Sequence, residues 1–208
     1  MGTTGEYMKE IKIDKYTAKE AMARVVEYMK LESVQTIEMI TLDAVRYYQK
    51  ENEWEEKAFD ITFAENKDVL EALEIHDETL IKEAESHLFI KMFARFLHKN
   101  KVKVFLFAEN DAVLREMQNL IATKSMGMKV VETATLEEHG VSDDMILNRI
   151  NGVEADCVIA ALPSPLRQEF IVRNRMLLNA RIWVGLGTNL TNKKSGILER
   201  MVQYLKKK

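Results

Sequence analysis

Residues 156–186 read DCVIAALPSPLRQEFIVRNRMLLNARIWVGL. The apolar runs at 156–162 and 181–186 predict two β-strands. Between them, a Ser-Pro pair at 164–165 places a favoured N-cap residue before a favoured first-turn residue, which predicts a helix to about Leu178. A strand, a helix and a second strand in this order indicate two parallel strands joined by a right-handed crossover.

The same alternation continues on both sides of this unit. VKVFLFA (102–108) is apolar throughout, as a strand buried on both faces must be. Further strands are predicted at 9–13, 35–41, 58–63 and 128–133. Helices are predicted at 18–32, from 43, after 66, at 77–100, 111–124 and 142–152, and from about 195. The pattern predicts the α/β class: a mostly parallel, Rossmann-like sheet flanked by helices, with a smaller N-terminal α/β portion. We expect one domain over residues 1–208, in which two lobes could meet near residue 100.

Composition narrows the class of protein. Of the 208 residues, 47% are hydrophobic and 30% are charged, which is typical of a globular protein that folds in water. The net charge of −3 argues against a nucleic-acid partner. The single cysteine, Cys157, lies in an apolar run, so we expect a buried thiol and a cytoplasmic protein without disulfides. No apolar stretch is long enough to cross a bilayer, so any membrane contact should be peripheral.

Ligands of open parallel sheets bind beyond the carboxyl ends of the strands, so the polar residues that follow each strand are the candidate site. These residues are Thr41, Asp43, Glu65, Asn66, Glu109, Asn110, residues 164–169, Gly187, Thr188 and Asn189. Each also has a structural alternative, because N-caps and loop residues of these types occur without any ligand. The four histidines show no metal-binding spacing, and the chain has neither a G-x-S-x-G elbow nor a Walker loop.

Three segments resemble one known family. Residues 155–187 resemble the signature of the WecG/TagA/CpsF glycosyltransferases: a buried strand, a G-S/T-P-x-Q-E-x-W-I-x-x-N-R block, and an apolar strand that ends in glycine. The residues that match this block in register are Ser164, Pro165, Ile171, Asn174 and Arg175. Upstream, MITLDAV (39–45) resembles the family's T-x-N-A element, and FDITFAEN (59–66) resembles its A-D-L-V-L-P-D-G element.

The resemblance implies a function. Family members transfer an N-acetylmannosamine-type sugar from a UDP-sugar to a lipid-linked acceptor at the cytoplasmic face of the membrane, with inversion and without a metal or cofactor. Glu65 takes the place of the family's aspartate and is the expected general base. The expected substrate-binding residues are Thr41, Asp43, Asn66, Ser164, Arg167, Gln168, Gly187 and Asn189. Arg167 stands in the register of the family's glutamine, so we expect its guanidinium, rather than the amide of Gln168, to face the diphosphate.

The chain also departs from the family pattern. Ala108, Glu109 and Asn110 replace a glycine-rich turn, and Pro163 replaces a glycine. We also expect the chain to lack the family's long carboxyl-terminal tail; residues 193–208 are basic and could form either a solvated helix or a weak contact with anionic lipid. These departures leave an alternative, a non-catalytic relative that binds a nucleotide-sugar or a true transferase. A second alternative is an unrelated nucleotide-binding α/β protein. The sequence also leaves open whether the chain forms a homo-oligomer.

Overall fold

A computed structural model describes residue 11 and residues 13–51, 59–122, 128–137 and 142–188. The strands in these residues are β1 (Gln35–Ile40), β2 (Ile61–Ala64), β3 (Lys103–Ala108), β4 (Lys129–Thr135), β5 (Cys157–Ala161) and β6 (Ile182–Leu186). The helices are α1 (Ala18–Tyr28), α2 (Leu42–Glu51), α3 (Lys67–Ala72), α4 (Glu78–Ser86), α5 (Leu88–Lys99), α6 (Asp111–Ala122), α7 (Asp143–Gly152) and α8 (Leu166–Asn174).

The six strands form one parallel sheet in the order β2-β1-β6-β5-β3-β4. The predicted α/β class is therefore confirmed. The sheet is covered on both faces: α1, α5 and α6 pack on one face, while α2, α3, α4, α7 and α8 contribute to the apolar cluster on the other. This double cover explains why β3 and β5 are apolar along nearly their whole length, since every position on them except Lys103 is buried.

β5 and β3 are parallel neighbours in the sheet, but the connections that follow them cross the sheet in opposite directions. After β5 the chain crosses to β6 on one side, whereas after β3 it crosses to β4 on the other side. The loops therefore diverge at the carboxyl ends of these two strands and leave a crevice, which is where open α/β sheets bind ligands. At this edge the backbone N–H of Glu109 donates to the carbonyl of Ala161 at 3.0 Å.

Side-chain caps fix where several helices begin. The Thr17 hydroxyl accepts from the N–H of Glu20, and the Glu20 carboxylate accepts from the N–H of Thr17, which forms the predicted capping box of α1. Ser142 caps α7 as predicted, through its hydroxyl and the N–H of Met145 at 3.3 Å. Such caps satisfy N–H groups that have no partner within the helix.

The helix predicted across 77–100 is instead two helices. His87 adopts a left-handed conformation, with φ 49° and ψ 43°, and separates α4 from α5. Neither glycine nor proline lies at this break, so the sequence carries none of the usual signals for it. The break turns the chain so that α5 packs on α1 while α4 extends toward α3.

The helix after β5 is shorter than predicted. It begins at Leu166 rather than at Pro165, its N-cap position is Pro165, and Ser164 does not cap it. The helix ends at Asn174, and a 3-10 turn over Arg175–Leu177 follows. Two other predicted elements lie wholly or mostly outside the described residues: the helix from 195, and the strand at 9–13, of which only Ile11 and Ile13 are described and neither is in a strand.

A buried charged cluster joins α8 to the sheet. Arg167 is fully buried, and its Nε donates to Oε1 of Glu38, a fully buried residue of β1, at 2.6 Å. The guanidinium also donates to the carbonyls of Leu162, Leu186 and Met39, at the carboxyl-terminal side of β5, β6 and β1. Burial raises the pKa of Glu38, while the charge of Arg167 opposes that rise.

Glycine at position 185 leaves the space that Glu38 fills. Gly185 lies on β6 beside Glu38 of β1. A Cβ at this position would overlap Oε2 of Glu38 and would lie 3.0 Å from Cδ of Arg167. The ion pair can therefore form only because β6 has no side chain there.

We expect Gly185→Ala to lower the free energy of unfolding by about 3 kcal/mol, since the added methyl group overfills the core and displaces a buried charge. Urea unfolding monitored by circular dichroism measures the loss. The matched control is Gly152→Ala in α7, where nothing lies within 4 Å of an added Cβ. It should be neutral or stabilising, because alanine favours helix over glycine by up to about 1 kcal/mol. Equal effects of the two substitutions would contradict the role of Gly185 in making room for the ion pair.

Candidate active site

Glu65 directly follows β2 at the carboxyl edge of the sheet. Its backbone N–H donates to the carbonyl of Ile40 at 2.9 Å, which fixes it beside the end of β1. The residue is only 8% exposed. Burial raises the pKa of its carboxyl to about 7; Arg167 lowers that pKa and the charge of Asp43 raises it. Glu65 can therefore exchange a proton near neutral pH.

Thr41 and Gly187 lie next to Glu65. The Thr41 hydroxyl accepts from the N–H of Ala44 at 3.2 Å and so caps α2. A Cβ added to Gly187 would lie 2.8 Å from Cγ2 of Thr41 and 3.7 Å from Oε1 of Glu65. The residues that follow β1, β2 and β6 thus meet at one place, and glycine at 187 lets the backbone approach closely.

Two further candidates lie on the same side of the sheet. Asn66 caps α3 through its side-chain oxygen, which accepts from the N–H of Val69 at 3.2 Å, and its Nδ2 donates to Oε2 of Glu65 at 3.4 Å. Asp43 is mostly exposed and forms an ion pair with Arg46 at 3.3 Å. Asn66 therefore contacts Glu65, whereas Asp43 acts on it through its charge.

Glu65 forms part of the wall of a cleft with an empty volume of about 450 Å³, including space open to solvent. Most of the wall is apolar, and its other polar residues are Asp14, Tyr16, Glu83 and His87. The sequence pattern did not point to these four. Asp14, Tyr16 and Glu83 reach the cleft only through tertiary packing of the segment before α1 and of α4, and His87 reaches it because it lies at the break between α4 and α5.

The acids of the cleft differ in how their oxygens are used. Asp14 Oδ2 accepts from the N–H of Thr62 at 2.7 Å and from its hydroxyl at 3.0 Å. Glu83 Oε2 accepts from the N–H of Ala18 at 2.6 Å. Among the described residues, the only bond to the Glu65 carboxylate is the long one from Asn66. Glu65 is therefore the acid of the cleft whose carboxylate is least engaged in hydrogen bonds.

Arg167 and Gln168 lie beneath the edge of the sheet and do not point out of it. Both are buried, and the Gln168 amide donates to Oε1 of Glu38 at 2.7 Å and to the hydroxyl of Ser164 at 3.0 Å. This differs from the expectation that the guanidinium faces a diphosphate. The reason is Glu38 of β1, whose buried carboxylate accepts hydrogen bonds from both side chains and so holds them in the core. A binding role for these residues stays a prediction, and in this geometry they would act through Ser164 and the strand ends.

The crevice between β5 and β3 lies apart from Glu65. Asn110 caps α6 there, with its side-chain oxygen accepting from the N–H of Val113 at 3.0 Å. Two strands, β1 and β6, lie between β2 and β5, so the ends of β2 and β5 are roughly 14 Å apart at ordinary strand spacing. The structure thus separates the candidates into two groups on one edge. Asn189 is outside the described residues.

The last residues of the signature block lie at the opposite edge of the sheet. Arg175 donates to Oδ2 of Asp60 at 2.7 Å, and the same oxygen accepts from the N–H of Thr36 at 2.7 Å, at the start of β1. Asn174 donates to Oδ2 of Asp143 at 2.9 Å and so joins α8 to α7. These two residues hold the fold together and do not reach the cleft.

In the described part of the chain, no group of three or more His, Cys, Asp and Glu side chains could hold a metal ion. The helices within that part are all too short or too polar to cross a membrane.

The sequence profile of the Glycosyl transferase WecG/TagA/CpsF family matches residues 7–203, which is nearly the whole chain. No curated protein matches the chain.

The raised pKa of Glu65 predicts a pH dependence of stability. Because the pKa is about 7 in the folded protein and 4.5 is its ordinary value, the folded state binds the proton more tightly. The resulting stability is complete below pH 4.5 and is lost as the pH rises through about 7. Relative to Glu65→Gln, the wild type should lose about 3 kcal/mol over this window, at 1.36 kcal/mol per pH unit. Urea unfolding of both proteins across the window measures the difference.

The matched control is Glu71→Gln, which removes an exposed acid from α3. We expect its stability to follow that of the wild type at every pH. If the difference between wild type and Glu65→Gln stays constant from pH 4.5 to above 7, Glu65 does not titrate as its burial requires.

Proposed function

The chain belongs to the WecG/TagA/CpsF family of glycosyltransferases, and we propose that it transfers an N-acetylmannosamine-type sugar from a UDP-sugar to a lipid-linked acceptor. The family implies a role in the synthesis of cell-surface polysaccharides. The observation that carries the proposal is the position of Glu65, a buried carboxyl group with a pKa of about 7 in the wall of a cleft. A base of this strength is suited to work near neutral pH.

In the proposed reaction, Glu65 removes the proton of an acceptor hydroxyl as its oxygen attacks the anomeric carbon of the donor. The new carbon–oxygen bond forms on the face opposite the leaving group, so the anomeric configuration inverts. UDP leaves with the electron pair of the broken bond, and Glu65 later releases its proton to solvent. No step requires a metal or a cofactor, in agreement with what the resemblance implies.

The remaining candidates have supporting roles in this proposal. Thr41, Asn66 and Gly187 surround Glu65 and would contact the acceptor or the transferred sugar. The nucleotide would bind at the crevice beyond β5 and β3, near Ser164 and the start of α6. The separation of roughly 14 Å between the ends of β2 and β5 leaves room for the diphosphate and the sugar between the nucleotide and the base.

We propose that the protein works in the cytoplasm, at the inner face of the membrane. Both substrates support this location, because the donor is a water-soluble nucleotide-sugar and the acceptor is anchored by its lipid. Asp43, Ser164 and Asn189 remain predicted contacts of these substrates, and Arg167 and Gln168 would position them indirectly through Glu38 and Ser164.

One residue, Glu109, favours a second candidate function, in which the protein does not catalyse the transfer itself. It follows β3 at the crevice where a diphosphate would bind, so its negative charge opposes an anionic ligand. A protein that binds the nucleotide-sugar weakly without transferring it, or that acts as the partner of a true transferase, would tolerate this acid. Donor binding without any transfer would support that function.

We expect Glu65→Gln to lower turnover about 100-fold or more, because an amide has the shape of the carboxyl group but cannot accept the proton. Binding of the UDP-sugar should change little. In the wild type, kcat/KM should rise as the pH increases through about 7, since the base must be ionised. A transfer assay with a lipid-linked acceptor, with calorimetry for binding, tests both points.

Glu71→Gln on α3 is again the matched control and should retain wild-type turnover. Wild-type turnover in Glu65→Gln would exclude Glu65 as the base. The absence of transfer by the wild type with every UDP-sugar, together with measurable donor binding, would favour the non-catalytic function.

We expect Glu109→Gln to tighten UDP-sugar binding about fivefold, because two like charges about 4 Å apart in water repel each other by about 1 kcal/mol. Titration calorimetry at low salt measures the change, and Glu71→Gln controls for the overall loss of one negative charge. Unchanged affinity in Glu109→Gln would mean that the diphosphate does not bind beside β3.

A further inference from the structure

The exposed apolar side chains are concentrated on one part of the surface. Seven large hydrophobic residues are exposed among the described residues, and five of them lie on α7, α8 and the 3-10 turn. These five are Met145, Leu166, Val172, Met176 and Leu177. Met176 is 91% exposed, the highest value in the group. These elements are neighbours in the fold, and exposed apolar residues on neighbouring elements mark an interaction site more often than scattered residues do.

The outer face of α8 has a regular pattern. At 100° per residue, Leu166, Glu169, Val172 and Arg173 of α8 fall within an arc of about 120°. Met176 follows them in the 3-10 turn, and all five residues are exposed. The opposite arc holds the buried side chains that pack on the sheet. Together, the outer arc of α8 and Met176 present three apolar residues, one acid and one base, and the two charges cancel.

This pattern is complementary to the same pattern on a second, antiparallel copy of the helix. Leu166 lies five residues before Ile171 and Met176 lies five residues after it. Glu169 lies two residues before the same point and Arg173 lies two residues after it. In two antiparallel copies of α8 and its following 3-10 turn, related by a twofold axis near this point, each Leu166 therefore faces a Met176, and each Glu169 faces an Arg173.

We propose that the outer face of α8 is the interface of a homodimer, in which α8 packs antiparallel against α8 of a second copy of this chain. Val172 lies beside the twofold axis, and the exposed Leu177 and Met145 belong to the adjoining 3-10 turn and to α7. The two Glu169–Arg173 pairs favour antiparallel packing, because in parallel helices the directly opposite positions would carry like charges.

The charges also argue for this partner over a membrane. Adsorption to anionic lipid needs an excess of basic residues on the contact surface, whereas the arc on α8 has one acid and one base. Arg173 is available for the new pair: its present ion pair with Asp143, at 3.2 Å, is well exposed, and such surface pairs contribute little.

Charge reversal of the full chain tests the proposal by sedimentation velocity over a wide concentration range. We expect the wild type to dimerise, and Glu169→Lys and Arg173→Glu each to weaken dimerisation about tenfold or more, because each places like charges across the axis twice. An equimolar mixture of the two variants should form a heterodimer of near wild-type affinity, since both cross-axis pairs are then between opposite charges.

Met176→Asp should also abolish the dimer, while the matched control Val26→Asp, at an exposed apolar position of α1, should leave it intact. Circular dichroism and unfolding midpoints establish that each variant is folded. A wild type that is monomeric at all concentrations, including one that instead binds anionic vesicles, overturns the proposal. So does a dimer that survives Met176→Asp, or a failure of the mixed variants to associate.

Discussion

The buried ion pair between Glu38 and Arg167 is the interaction on which the rest of the structure depends. Removing two charges from water costs several kcal/mol for each ion, so the pair is tolerated only with additional hydrogen bonds. Arg167 obtains them from three backbone carbonyls, and Oε1 of Glu38 accepts from Gln168 as well. Those carbonyls belong to the ends of β1, β5 and β6, so one guanidinium aligns the edge on which the cleft is built. The same charge lowers the pKa of Glu65, which connects the core directly to the proposed chemistry.

Much of the fold could be predicted from the sequence because its strands are buried on both faces. Short continuous apolar runs such as those of β3 and β5 are typical of strands in a covered sheet, and helices between them require parallel pairing. The break at His87 could not be predicted, since it arises from packing of α5 on α1 and not from glycine or proline. The later start of α8 was also missed, because the Ser164 side chain does not cap the helix and instead accepts a hydrogen bond from Gln168.

The site was predictable in position but not in detail. Parallel strands bring their carboxyl ends to one edge, so Thr41, Glu65 and Gly187 could be grouped before their contacts were known. The burial of Arg167 could not be foreseen, because its partner lies 129 residues earlier in the chain. Glu38 looked like an ordinary polar position of an alternating strand, and only its place in the middle of a covered sheet makes it unusual. Asp14, Tyr16 and His87 reach the cleft through tertiary packing, for which the sequence holds no local signal.

The absence of a side chain at position 185 has a consequence for how this protein can change over generations. Glu38, Arg167 and Gly185 occupy one volume, so a larger residue on β6 is compatible only with a smaller one on β1. Loss of either charge alone leaves the other buried and unpaired, which is strongly destabilising. Substitutions at the three positions are therefore epistatic. Lineages that abandon the ion pair must replace both charged residues together, and related sequences should covary at these positions even though they are remote along the chain.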